Sequence, residues 1–195
     1  MILSKLTAPN ILSASRIFLM PLLFWLLLSG HHYWFLGTYI VVGLTDAVDG
    51  VLARRLGQVS HFGKELDSFA DLIFYISSAY FIYRLMPVAI EENNTLLIVF
   101  FSLLGLSFVV SGILFRRPIM MHTFILKWNA VLVYLLVIAT FILDPLYCIY
   151  FARAVIIIYL VGFIEELLIF FIYGNVDPDT VSILHLVREK RGKAL

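Results

Sequence analysis

Six stretches of about 20 predominantly apolar residues, each long enough to cross a bilayer, recur along this chain. They lie near 11–29, 34–56, 62–85, 95–115, 128–147 and 151–173, separated by the short polar breaks SGHHY, GQVS, MPVAIEENN, RRPIMMHTF and LDPLY. A single soluble core of 195 residues has no room for so much apolar surface. Charged residues make up 14%, well below the roughly 25% of soluble domains. The expected fold is an all-α integral membrane protein of six transmembrane helices forming one domain over residues 1–173. A short polar cytoplasmic tail, 174–195, follows and ends in a basic segment. The opening run MILSKLTAPNILSASRIFLMPLLFWLLLSG is read as a first anchor rather than a signal peptide. Its apolar part is long, leads into another span and shows no clear small-residue cleavage site.

Net charge is +1, which gives no reason to expect a nucleic-acid partner, and the one cysteine, Cys148, excludes a disulfide framework. Orientation follows from the placement of Lys and Arg. With the N-terminus inside, the cytoplasmic side collects Lys5, Arg16, Arg54, Arg55, Lys64, Arg116, Arg117, Lys127, Arg188, Lys190, Arg191 and Lys193. The outer side keeps Arg84 and Arg153. Both termini are therefore expected in the cytoplasm.

Spans two and three carry four aspartates in their cytoplasmic halves: Asp46, Asp49, Asp67 and Asp71. Asp46, Asp49, Gly50 and Ala53 share one helix face, as do Gly63, Asp67 and Asp71. The short link between the spans makes them antiparallel neighbours, with acidic faces opposed across a narrow, polar, cytoplasm-facing cavity. Like charges in low dielectric repel strongly. Either several aspartates are protonated or cations fill the gap. Hard cations such as Mg2+ or Mn2+ take oxygen ligands and bind phosphate as well. Gly50 and Gly63 leave room for a ligand near the backbone, and Arg54 supplies a planar donor suited to phosphate. Intramembrane carboxylates mark functional sites by default, and the combination points to a metal–diphosphate site.

The stretch reads D-x-x-D-G-x-x-A-R-x8-G-x-x-x-D-x-x-x-D without departure, on Asp46, Asp49, Gly50, Ala53, Arg54, Gly63, Asp67 and Asp71. It resembles the signature of the CDP-alcohol phosphotransferases, membrane enzymes of phospholipid synthesis. Eight fixed positions match by chance roughly once in several billion starts. The opening APNILSASRIFLMP is similar to the Pro-Asn-x-Leu-Thr-x-x-Arg start of members that make phosphatidylglycerophosphate or cardiolipin, on Pro9, Asn10, Leu12 and Arg16, with Ser13 in place of Thr. Two readings of that opening stay side by side. In one, Asn10 helps hold the diphosphate; in the other, the segment is an ordinary helix start with Arg16 snorkelling to the interface.

The resemblance implies transfer of a lipid-phosphate group from a CDP-linked lipid, CDP-diacylglycerol in the best-fitting case, to an acceptor hydroxyl with release of CMP. It implies two divalent ions, Mg2+ or Mn2+, on Asp46, Asp49, Asp67 and Asp71. Asp71 would be the general base, Gly50, Ala53, Arg54 and Gly63 would line the cytidine diphosphate pocket, and the enzyme would be a homodimer.

A basic cluster, Arg116, Arg117, His122 and Lys127, follows span four. It serves either as positive-inside anchoring or as a pocket for a phosphorylated acceptor. Glycerol 3-phosphate fits the opening motif and this cluster. Relatives using it often end the signature Asp-Pro-x-Ala-Asp-Lys, whereas this chain has Ser68 and Leu72 at the variable places, so serine and inositol phosphate stay open as acceptors.

Glu165 and Glu166 fall inside span six, more than two turns from Arg153, which leaves another span or a second subunit to meet them. Tyr33, Trp34, Trp128, Tyr147 and Tyr150 lie near span ends, as aromatic belts require. A small cation transporter using intramembrane carboxylates is the competing class. It commonly shows repeated halves and broken helices at midplane, and neither is visible here. A silent scaffold is the third, and no signature aspartate is lost.

Overall fold

The computed structural model describes residues 7–55, 60–115 and 124–173, and the described residues form seven helices with no strand. These are α1 (Ala8–Leu28), α2 (His32–Arg55), α3 (His61–Leu85), α4 (Pro87–Glu92), α5 (Asn94–Phe115), α6 (Phe124–Ala139) and α7 (Pro145–Tyr173). Three stretches among them are long and apolar enough to cross a membrane: Asn10–Leu28, Asn94–Leu114 and Pro145–Ile172. The α2 and α3 helices, with 24 and 25 residues, reach about 36 Å or more at 1.5 Å per residue. Their charged residues set them apart from the three apolar stretches. The apolar part of α6 that could span is short, Trp128–Ala139.

Two boundaries differ from the sequence reading for the same reason. Pro145 and Pro87 each stand at the first position of a helix, where the missing amide proton costs nothing and the fixed φ is already helical. The segment read as the break between spans five and six therefore opens α7, six residues earlier than expected. The break after span three is itself a single helical turn and a half, α4.

The chain divides into two compact units. In the first, made of α1, α2, α3 and Val137–Ile142, α1 packs along both α2 and α3. Its turn into α2 is closed by Gly30, at φ +76°. Gly30 N–H donates to Leu27 O at 3.2 Å and His31 N–H to Leu26 O at 2.9 Å, a Schellman closure that needs glycine's left-handed backbone. Arg16 and Asp46 are equidistant in sequence from His31, so this tight reversal brings them to the same level.

The buried face of α1 runs Asn10, Ser13, Arg16, Met20, Leu23, Leu27, a 3/4 spacing that changes from polar to apolar along one stripe. The matching stripes are Phe35, Tyr39, Val42 on α2 and Ala70, Phe74, Ser78, Phe81 on α3. Tyr39 stacks on Phe74 at 5.1 Å between centroids, and Phe35 meets Phe81 edge-on at 5.0 Å. These pairs fix α2 and α3 antiparallel, and the aromatic floor ends where the aspartates begin.

In the second unit α5 packs along α7, with α4 against both. Asn93 ties its start: Nδ2 donates to Ala89 O at 2.8 Å and Ile149 O at 3.3 Å, while Oδ1 accepts from Arg153 Nε at 3.0 Å. Phe100 meets Tyr159 and Phe163, and Ser107 meets Glu166. The rising order on both helices makes them parallel. Phe18, Trp25, Phe101, Ile113 and Phe171 are exposed, and so are the five aromatic residues expected at span ends. Apolar surface of this kind suits lipid.

Candidate metal–phosphate site

The site is built at the polar end of the three stripes in the first unit. Asp46 is four residues beyond Val42 on α2, and Asp67 and Asp71 precede Phe74 on α3 by seven and three, so all three carboxylates follow the same faces as the aromatic core. One oxygen from each lies within 4.8 Å of the other two. The opposed acidic faces read from the sequence are thus brought together for these three. Asp49, Gly50, Ala53 and Arg54 lie in the last turns of α2; their side chains are outside the described residues.

Arg16 stands in the centre of the cluster. Its Nη1 donates to Asp46 Oδ1 and, at 2.5 Å, to Asp71 Oδ1, and its Nη2 donates to Asp67 Oδ1. Ser13, one turn earlier, donates to the same Asp67 oxygen at 3.3 Å. The Arg16 side chain is 2% exposed, while those of Asp46, Asp67 and Asp71 are 42%, 40% and 32% exposed. The guanidinium forms the floor of the cluster and the carboxylates its open rim. The snorkelling reading of Arg16 is therefore overturned. Stripe geometry turns this residue inward, and its planar fork of donors can serve several carboxylates at once.

Asn10 is buried beside Gly63. A Cβ at Gly63 would fall 2.6 Å from Asn10 Oδ1 and 3.0 Å from Ser60 Oγ, so glycine permits this approach of α3 to α1. Two residues that the resemblance assigns to nucleotide binding thus come together. Among the basic residues considered for the acceptor, Arg116, Arg117 and His122 lie outside the described residues. Lys127 is in the first turn of α6, and its side chain is also outside them.

The donor set fits a divalent cation. Three carboxylates supply hard oxygens, the ligand type Mg2+ takes, and one oxygen from each lies within 4.8 Å of the others. The Arg16 guanidinium lies against the same three carboxylates. Fully ionised, the three carboxylates carry more negative charge than one guanidinium offsets.

Sequence reasoning left Arg16 and Ser13 out of the site. The signal was present in the spacing of Asn10, Ser13 and Arg16, which repeats every three residues along one face and continues as the buried stripe of α1.

Comparison with known proteins places the chain by its sequence. The chain is 32% identical over 110 residues to a CDP-diacylglycerol–glycerol-3-phosphate 3-phosphatidyltransferase of Aquifex aeolicus, covering 55% of this chain and 59% of that protein. It is 39% identical over 79 residues to a CMP-forming cardiolipin synthase of Streptomyces coelicolor, covering 37% of each. To a CMP-forming cardiolipin synthase of Rattus norvegicus it is 43% identical over 79 residues, covering 38% of this chain and 26% of that protein. The chain thus spans between 26% and 59% of these relatives' lengths. No solved structure matches it. The family model for CDP-alcohol phosphatidyltransferases matches residues 6–171. That match runs from ahead of α1 nearly to the end of α7 and takes in every member of the acidic cluster, so the chain belongs to the CDP-alcohol phosphatidyltransferase family.

Proposed function

We propose that this protein transfers a phosphatidyl group from CDP-diacylglycerol to the hydroxyl of glycerol 3-phosphate and releases CMP. The observation that carries this reading is the convergence of Asp46, Asp67 and Asp71, one oxygen each within 4.8 Å, with Gly63 one turn before Asp67 and set against Asn10. In the reaction the acceptor oxygen forms a bond to the lipid-bearing phosphorus. The bond from that phosphorus to the bridging oxygen breaks, and CMP leaves with the electron pair. Asp71 accepts the proton of the acceptor hydroxyl. Asp46, Asp49 and Asp67, with Asp71 sharing the task, hold the divalent ions, Mg2+ or Mn2+. Such ions neutralise the diphosphate and the charge developing on the leaving group. Gly50, Ala53, Arg54, Gly63 and Asn10 line the cytidine diphosphate pocket.

The wider frame belongs to the same proposal: six spans over residues 1–173, both termini and the polar cavity on the cytoplasmic side, a cytoplasmic tail and a homodimer. Arg116, Arg117, His122 and Lys127 are the sequence's candidates for gripping the acceptor phosphate. Glycerol 3-phosphate is favoured because the Aquifex relative is named for it and is matched over more than half of this chain. The cardiolipin synthases among the relatives support a second reading, in which the acceptor hydroxyl belongs to phosphatidylglycerol.

The test is CMP release by the purified chain in detergent, given CDP-diacylglycerol and Mn2+ or Mg2+. Glycerol 3-phosphate, phosphatidylglycerol, serine, inositol and inositol phosphate are offered in turn, with Asp71→Asn alongside. Metal-dependent CMP with glycerol 3-phosphate, lost in Asp71→Asn, is the expected result. Release only with another acceptor overturns the acceptor, equal activity in Asp71→Asn overturns the base, and no release with any acceptor overturns the reaction.

A further inference from the structure

The acidic cluster holds a cation of the protein's own. Arg16 reaches the same three carboxylates, Asp46, Asp67 and Asp71, that a divalent ion would need as ligands. The arginine is covered from below by the α1 stripe, with Met20 and Leu23 buried in the next turns. The three carboxylates are partly exposed while the guanidinium is buried. Facing carboxylates without a cation would push α2 and α3 apart. A forked guanidinium answers that repulsion across three helices at once, which a point-charge ammonium does less well.

We propose that Arg16 is a displaceable counter-cation: its guanidinium and a divalent metal are alternative occupants of the Asp46–Asp67–Asp71 cluster. Arg16 holds the cluster assembled before metal arrives and lowers the affinity with which metal is then taken. It is a positioning residue acting through the aspartates. This rests on the metal part of the proposed function and goes beyond it by assigning Arg16 a role opposed to metal binding.

The test measures Mn2+ binding without substrate, by the loss of the free-ion resonance, on the full chain in detergent. Native protein is compared with Arg16→Gln, Arg16→Lys and Asp67→Asn, and unfolding temperatures are recorded in EDTA and in saturating Mn2+. Arg16→Gln is expected to bind Mn2+ at least about tenfold more tightly. It should unfold at lower temperature than native in EDTA and regain most of the deficit in Mn2+. Arg16→Lys should fall between, tighter than native by about threefold. A fixed structural strut gives the opposite sign, because losing it disorders the ligands. Native binding that Asp67→Asn removes, together with equal or weaker binding in Arg16→Gln, overturns this proposal and leaves the metal reading standing. Should Arg16→Gln not fold, Arg16→Lys decides: tighter binding supports the proposal, and equal or weaker binding overturns it. If the native chain shows no Mn2+ binding that Asp67→Asn removes, the metal reading fails and takes this proposal with it.

Discussion

Gly63 on α3 approaches Asn10 on α1 so closely that a methyl group at Gly63 would stand 2.6 Å from the Asn10 amide oxygen. The nearest atom is a side-chain tip rather than backbone, so the fold can relieve the clash by turning Asn10 aside. Gly63→Ala also adds helix propensity worth about 1 kcal/mol. The expected outcome is an unfolding temperature near the native value with the proposed CMP release reduced about tenfold or more, a loss at the site rather than in the fold. In an Asn10→Ala background the same change should cost much less, because the groups that collide are no longer both present. A double-mutant cycle on activity and thermal unfolding separates the two effects. Additive losses would mean that Gly63 acts on something other than Asn10.

Chelation gives a second expectation. With three carboxylates converging on one point, EDTA should abolish CMP release, and Mg2+ or Mn2+ should restore it. Asp46→Asn and Asp67→Asn should each lower release by about a hundredfold or more and demand higher metal concentrations, since each removes one hard ligand from the cluster. Metal titrations of initial rate check this. Full activity in EDTA would remove the ions from the reaction.

The order of the apolar runs and the signature spacing were legible because each is local. Helical period alone places Asp67 and Asp71 on one face, and the short link makes α2 and α3 antiparallel. Arg16 was not legible in that way. It lies one helix earlier, and the pairing with Asp46 depends on the left-handed Gly30 turn that sets the level of α1 against α2. A lone arginine near a span end is ordinarily an interface anchor, and only the buried stripe from Asn10 to Leu27 distinguishes it. The start of α7 at Pro145 was hidden for a related reason: apolar content reports where a helix can enter lipid, whereas proline at the first position reports where the backbone begins to coil.

Beneath the site, Tyr39 and Ser78 share a buried hydrogen bond of 2.8 Å between α2 and α3. Ser78 donates its own proton to Phe74 O at 2.8 Å, which makes Tyr39 the donor to Ser78. The two deletions are therefore unequal. Tyr39→Phe leaves the serine bonded to its helix and should cost about 1 kcal/mol. Ser78→Ala removes both the bond from Tyr39 and the one to Phe74 O, and should cost more, about 1–3 kcal/mol. Equilibrium unfolding in mixed detergent checks the order, and a larger loss in Tyr39→Phe would reverse the assigned direction of the bond.

In the second unit, Glu166 is buried on α7 and accepts a hydrogen bond from Ser107 of α5 at 2.9 Å. Each of these helices carries a stretch apolar enough to cross a membrane, and a charged carboxylate at such a place is expensive. Glutamine keeps the size and an oxygen that can accept from Ser107 while removing the ionisable group. Glu166→Gln should therefore hold stability within about 0.5 kcal/mol of native. Glu166→Ala adds a cavity to the lost bond and should cost about 2 kcal/mol or more. Ser107→Ala removes only the bond and should cost about 1 kcal/mol, the usual size of such contacts inside membranes. Steric-trap or denaturant unfolding of the three variants orders them. A Gln variant as damaged as the Ala variant would show that a charge on Glu166, rather than the hydrogen bond to α5, is what the helix pair requires.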